Sequence, residues 1–366
     1  MKAKAMVLEE FNKPLKLREI EIPELIDDGQ MIVEITAAGV CGSDVYMWGG
    51  HDPRTPLPII LGHEGVGLIK EIKGNKVTLN GEELKPGDPI LWHRGVSCGK
   101  CYYCKVAKQP SFCKKRWVYG INRTSAEYPY LLGGYADHIV LSSDTDVFKI
   151  PPDVSHESLV SVSCSGSTAI HAFELVPTNF ADRVVIQGPG PLGIYSIIFA
   201  KYSGASKIIV IGGTKERLEL CERAGATHII DRNETSSKKR IERVMELTEG
   251  EGADVVYEMA GSTAAVEEGL KMVRIGGSYV SAGFGEPRGK IEVDCFSDIG
   301  RKNLRYQGVW VSDVSHTYKS MEIALKYKDV LQDMVTHRFS LSRATEALEK
   351  MKSKEAIKAV IIPGMT

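Results

Sequence analysis

The chain has almost no net charge: 46 lysines and arginines offset 47 aspartates and glutamates, a formal −1 spread along 366 residues. A nucleic-acid or anionic-lipid surface needs a concentrated field of one sign, so polyanion binding is excluded as the basis of function. No apolar run approaches the ~18 residues of a membrane-crossing helix. The opening MKAKAMVLEEFNK is too charged for the apolar core of an export signal, so neither membrane association nor export is expected. Internal repeats and low-complexity tracts are also missing. The eight cysteines do not read as a disulfide framework, because such frameworks belong to small secreted chains and six of the eight sit in ligand-like contexts. A reducing cytoplasm is the expected location.

What is present is enough chain for two folding units. From Met1 to about Cys164, short alternating apolar runs such as MIVEITAAGV, GVGLIKEI and DHIVLSS are broken by turns, with Lys-Pro-Gly-Asp at 85–88 the strongest of them. From about Gly166 strand and helix alternate: RVVIQ, PLGIYSIIFAKYS, KIIVIG, KERLELCERAG, then DVVYEMAG, TAAVEEGLKMV and GSYVSAG. That alternation predicts an α/β fold with a doubly wound parallel sheet. The tail carries two helical segments and a final AVIIP strand able to return to the first unit.

Two groups of sulfur ligands stand out. Cys98, Cys101, Cys104 and Cys113 are separated by gaps of 2, 2 and 8 residues, which suits a knuckle folded around a tetrahedral Zn²⁺. An iron–sulfur cluster and free thiols are the alternatives, the first weakened by the absence of the short C-x3-C-P ending. Cys41 and His63, with Glu64 beside the histidine, form a mixed set that can leave a coordination position open for chemistry. Cys164 is the candidate third ligand because it lies where the β-rich half hands over to the nucleotide half; a small buried hydrophobe is its bland alternative. Asp44 is placed to orient His63 by accepting its other ring N–H. In the Trp92-His93-Arg94 segment, either a polar substrate is met or the lobe is merely packed.

Gly188, Gly190 and Gly193 in VVIQGPGPLG follow a strand and open a helix, the pattern for a pyrophosphate at a helix N-terminus, against the alternative of a turn that binds nothing. At the end of KIIVIG, where an acid would meet the ribose hydroxyls of NAD, stands Gly212. Lys215 and Arg217 are near enough in sequence to meet a 2′-phosphate, which leans toward NADP or dual use, unless both lie on a solvated helix face.

The order C-G-S-D, G-H-E-x2-G, four-cysteine lobe, then a cysteine before G-x-G-x-x-G resembles the zinc-containing medium-chain alcohol and polyol dehydrogenases over nearly the whole chain. The resemblance implies a GroES-like catalytic domain over 1–165 with a structural zinc lobe at about 94–115, a Rossmann domain over 166–308, and a return to the catalytic domain over 309–366. It implies two zincs per chain: a catalytic one on Cys41, His63 and Cys164, with Glu64 able to exchange onto it, and a structural one on the lobe. It makes Ser43 the group that passes the substrate proton, Thr168 a nicotinamide-side residue and Lys358 a basic residue near the cofactor phosphates. The relay histidine of the family is replaced by Tyr46, for which His51 could substitute, and the last lobe gap is eight rather than seven. NAD is the cofactor favoured by the resemblance, with NADP the alternative. A polyol or cyclitol substrate, a homo-oligomer of two or four chains, and kinship to inositol-pathway enzymes that oxidise scyllo-inosose are the further expectations. Simple secondary alcohols, threonine-like amino alcohols and a non-catalytic zinc or nucleotide binder are the competing readings.

Overall fold

The computed structural model describes residues 1–365, in two units: Met1–Cys164 with the segment from Ser312 onward, and Ser165–Val311. The hub of the first unit is the strand Met31–Val40, buried along most of its length as a near-continuous apolar run requires. It pairs antiparallel with Glu64–Ile72, with His138–Leu141 and with the C-terminal strand Lys358–Ile362. Its side chains enter a core with Ile69, Ile90, Ile139 and Ile361. The Lys85–Asp88 turn forms as its residues dictate: the Asp88 N–H donates to the Lys85 carbonyl at 3.1 Å, and Gly87 takes φ +92°. Gly39 lies opposite both Glu64 and Val360, so the central strand holds the last strand on one side and the segment that begins at Glu64 on the other.

In the second unit six strands run parallel in the order His228–Asp231, Lys207–Gly212, Arg183–Gln187, Ala253–Glu258, Val273–Ser281, Arg305–Gly308. Numbered along the chain this is 3-2-1-4-5-6, the doubly wound nucleotide-binding order, with helices between the strands. The β-rich and Rossmann architectures are therefore both present. Helix Thr263–Met272 hands over without a loop to strand Val273–Ser281, which begins earlier than GSYVSAG indicated. Both edge strands, HIID and RYQG, were not foreseen; they are short and mostly exposed or half-buried, so neither alternation nor a buried run marks them. Among the described residues no helix is long and apolar enough to cross a membrane.

Candidate active site

The C-G-S-D motif builds one wall of the site by capping. Cys41 is the N-cap of helix Gly42–Trp48, and Asp44, three residues on, returns its Oδ2 to the Cys41 backbone N–H at 2.8 Å. The other oxygen of this fully buried carboxylate lies 3.1 Å from His63 Nδ1. That contact turns Nε2 the other way, to 3.4 Å from Cys164 Sγ, and Cys164 Sγ lies 3.9 Å from Cys41 Sγ. With Glu64 these ligand atoms all fall within 4.8 Å of one another. Sulfurs bound at about 2.3 Å around a tetrahedral Zn²⁺ stand about 3.8 Å apart, so the separation of the two thiols fits that ion, as does the thiol and imidazole donor set. Burial opposes protonation of His63, but the Asp44 carboxylate outweighs it and lifts the imidazole to about 10. The Cys164 contact and the neighbouring His63 pull the Cys41 thiol well below its ordinary value against the cost of burial.

The four-cysteine lobe is assembled locally. Cys101 caps the short helix Tyr102–Lys105, and Cys113 follows the turn Pro110–Phe112. Sulfur pairs stand 3.4 Å (Cys98, Cys113) and 3.5 Å (Cys101, Cys104) apart, too far for disulfides and close to a thiolate tetrahedron. The Lys100 backbone N–H and the neighbouring Cys113 pull the Cys98 thiol down to about 6.

In the second unit Gly188 ends its strand at φ +112°, Gly190 is the N-cap and Pro191 the first residue of helix Pro191–Tyr202. A Cβ on Gly193 would collide with the Gly188 carbonyl, so helix and strand close only on glycine. A Cβ on Gly212 would meet Pro189 Cγ at 2.5 Å and Leu218 Cδ2 at 2.7 Å, which leaves no room for an acid. Arg217 Nη1 lies 3.8 Å from the Cβ position of Gly190, whereas Lys215 is on the solvated side of its helix, 3.9 Å from Glu219. Arg232, not noticed in the sequence, lays its guanidinium over Gly213, its Nε 2.6 Å from that residue's Cβ position. Thr168 is half-buried in the first turn of helix Ser167–Leu175.

Comparison with known proteins agrees with this geometry. Residues 27–152 match the alcohol dehydrogenase GroES-like domain, and residues 191–326 match the zinc-binding dehydrogenase domain. A 5-exo-hydroxycamphor dehydrogenase of Pseudomonas putida is 32% identical over 98% of both chains. The chain belongs to the zinc-containing medium-chain alcohol and polyol dehydrogenases. A crystal structure of an alcohol dehydrogenase from Thermotoga maritima superposes with a TM-score of 0.96 at 47% identity, covering 99% of each chain. A D-xylulose reductase of Saccharomyces cerevisiae is 30% identical over 94% of this chain and 93% of its own. As a member of the family the protein is an oxidoreductase of small-molecule secondary alcohols that uses Zn²⁺ and NAD(P).

Within this dehydrogenase Lys358, which the resemblance places near the cofactor phosphates, is 1% exposed on the C-terminal strand, and its ammonium forms an ion pair with Glu64 Oε2. Burial alone would discharge this lysine; the Glu64 carboxylate outweighs it and holds its pKa above the ordinary value. A Cβ on Gly39 would collide with Glu64 Oε2 and stand 3.0 Å from Lys358 Cε, so the pair closes only over a glycine. Glu64 Oε1 has no hydrogen-bond partner although it is buried. Ser43 Oγ stands 3.4 Å from His63 Nε2. Tyr46 and His51 stack at 5.3 Å between ring centroids, but neither is hydrogen-bonded to Ser43. The Trp92-His93-Arg94 segment divides its roles. Trp92 is core at 1% exposure, His93 Nδ1 is held 2.8 Å from Thr317 Oγ1, and Arg94 Nη1 donates to Cys164 Sγ at 3.0 Å.

Proposed function

We propose that this dehydrogenase oxidises a secondary hydroxyl of a polyhydroxylated small molecule, a polyol or cyclitol, to a ketone at a metal centre made by Cys41, His63 and Cys164. The observation that carries the assignment is the imidazole of His63, fixed by Asp44 with Nε2 3.4 Å from Cys164 Sγ, in a cluster whose ligand atoms all lie within 4.8 Å of one another. Glu64 is a reserve ligand, restrained by Lys358. Zinc bound there supplies Lewis acidity toward the substrate oxygen, and NAD(P) supplies the hydride acceptor. Ser43 Oγ, half-buried beside His63 Nε2, takes the hydroxyl proton. Because Ser43 has no hydrogen bond to Tyr46 or His51, that proton leaves by water or after a local rearrangement rather than along a preformed chain. Asp44 fixes the tautomer of His63, and the four-cysteine lobe holds its second zinc for structure alone.

Arg217 beside Gly190 and Arg232 over Gly213, with glycine at position 212 itself, favour NADP, since two guanidinium groups suit a 2′-phosphate. The test is an absorbance assay of zinc-replete protein with each cofactor against cyclitols including scyllo-inosose, open-chain polyols and plain secondary alcohols. Turnover of the polyhydroxylated members that a chelator abolishes is expected. Preference for plain apolar alcohols would contradict the substrate class, and chelator-resistant turnover would contradict the metal centre.

A further inference from the structure

We propose that Glu258 is a positioning residue for the nicotinamide cofactor: it holds the backbone against which the Gly188 turn packs and fills the neighbouring helix end, so that the cofactor pyrophosphate is received at one helix only. The proposal rests on the reading that NAD(P) binds at Gly188–Gly193. Glu258 ends the fourth strand of the parallel sheet, Ala253–Glu258, opposite Gln187, the last residue of the first strand. These two strands are neighbours where the strand order reverses, the crevice in which doubly wound sheets take their ligands. The Glu258 side chain is fully buried, and its Oε1 accepts the backbone N–H groups of Ala260 at 2.7 Å, Gly261 at 2.6 Å and Ser262 at 3.4 Å. Its backbone carbonyl accepts the N–H groups of Ala282 and Gly283, both at 3.0 Å.

The turns that follow the first, fourth and fifth strands are thereby locked backbone against backbone. A Cβ on Gly188 would stand 2.9 Å from the N and Cβ atoms of Ala260, and one on Gly261 2.6 Å from the Gly283 carbonyl oxygen; one on Gly283 would collide with the Gly261 nitrogen. At such close approach a displacement of the 260–262 turn is passed on to Gly188. The two helices that start at this crevice are also treated differently. Ser262, the N-cap of helix Thr263–Met272, makes no side-chain cap bond, and Glu258 Oε1 supplies the missing acceptor, so those N–H groups are already taken. Gly190 has no side chain with which to cap helix Pro191–Tyr202, and that end is left to the pyrophosphate. Burial raises the Glu258 carboxyl above the ordinary carboxylate value against the pull of the N–H groups, and Oε2 is buried with no hydrogen-bond partner among the described residues. What the turn uses is therefore the acceptor Oε1 rather than the charge, and glutamine presents the same acceptor at the same reach. The rival account is that Glu258 only stabilises the fold of the second unit.

Two substitutions separate the accounts, with Kd for NADH and NADPH read by nucleotide fluorescence and Tm followed in parallel on zinc-replete protein. Glu258→Asp keeps the charge but draws the acceptor back by one methylene from the three N–H groups. It is expected to weaken binding of the preferred nucleotide about tenfold or more, whereas Glu258→Gln stays within about threefold of the parent enzyme. A lowered Tm in Glu258→Asp with nucleotide binding intact in the folded protein assigns the residue to stability alone and overturns the proposal. So does Glu258→Gln binding as weakly as Glu258→Asp, which would make the charge the working group. Amide hydrogen exchange of the unsubstituted enzyme, with and without the preferred nucleotide, decides the matter even where a variant fails to fold. Nucleotide is expected to slow exchange across 258–262 as well as 188–193. Slowing at 188–193 alone overturns the proposal and leaves the cofactor site standing. Absence of binding, or slowing that spares 188–193, overturns the cofactor site and the proposal with it.

Discussion

The two sulfur sites of the first unit are built in opposite ways. The four-cysteine lobe draws all its ligands from one stretch, Cys98 to Cys113, and three of its four thiols are partly open to solvent. The mixed site collects Cys41, His63, Glu64 and Cys164 from three distant segments, and around them it buries three ionised groups, Asp44, Lys358 and Arg94. A site that only cross-links a loop needs spacing, which sequence encodes directly. A site that must hold a reactive metal needs an electrostatic surround, which only the folded sheet provides.

The widest separation between the sites comes from removing one ligand from each. His63→Ala is expected to abolish turnover while one zinc per chain remains by metal analysis, whereas Cys98→Ser should also lose one zinc, lower the Tm and keep turnover in the molecules that fold. Equal loss of turnover in both variants would end the distinction. Next in size is Lys358→Met, which strands a buried carboxylate and should cost about 3–5 kcal/mol in denaturant unfolding, most of it restored by adding Glu64→Gln. An unchanged midpoint would mean that the pair contributes nothing to the fold. Ser43→Ala should lower kcat about 10²-fold with both zincs retained, and full turnover would remove the serine from proton transfer. Asp44→Asn, which leaves size alone and weakens the hold on His63, is expected to reduce zinc affinity about 10- to 100-fold at the mixed site only. Parallel loss at the lobe would show that the two sites are not independent.

Legibility followed the same divide. The cysteine spacing, the glycine turn and the strand–helix alternation are short-range patterns, and the sheet order and the ligand clusters agree with them. The edge strands His228–Asp231 and Arg305–Gly308 escaped because their side chains are mostly not buried, so no periodicity betrays them. Lys358 was placed near a phosphate by the resemblance alone; its ion-pair partner Glu64 lies nearly 300 residues away and is reached only through the pairing of the last strand with Met31–Val40. Gly39 looked like any strand residue until both members of that ion pair were seen against it. Arg94 was noticed as polar, but its contact with Cys164 depends on where the chain turns before the second unit. Arg232 was overlooked because it follows a strand that the sequence did not reveal.

The most direct test is anomalous diffraction at the zinc edge on crystals of the zinc-replete protein. The account predicts two peaks per chain, one inside the Cys98–Cys113 lobe and one bound by Cys41, His63 and Cys164 with Glu64 still on Lys358. A single peak in the lobe, or a second metal that takes Glu64 in place of Cys164 while Lys358 swings free, would contradict it.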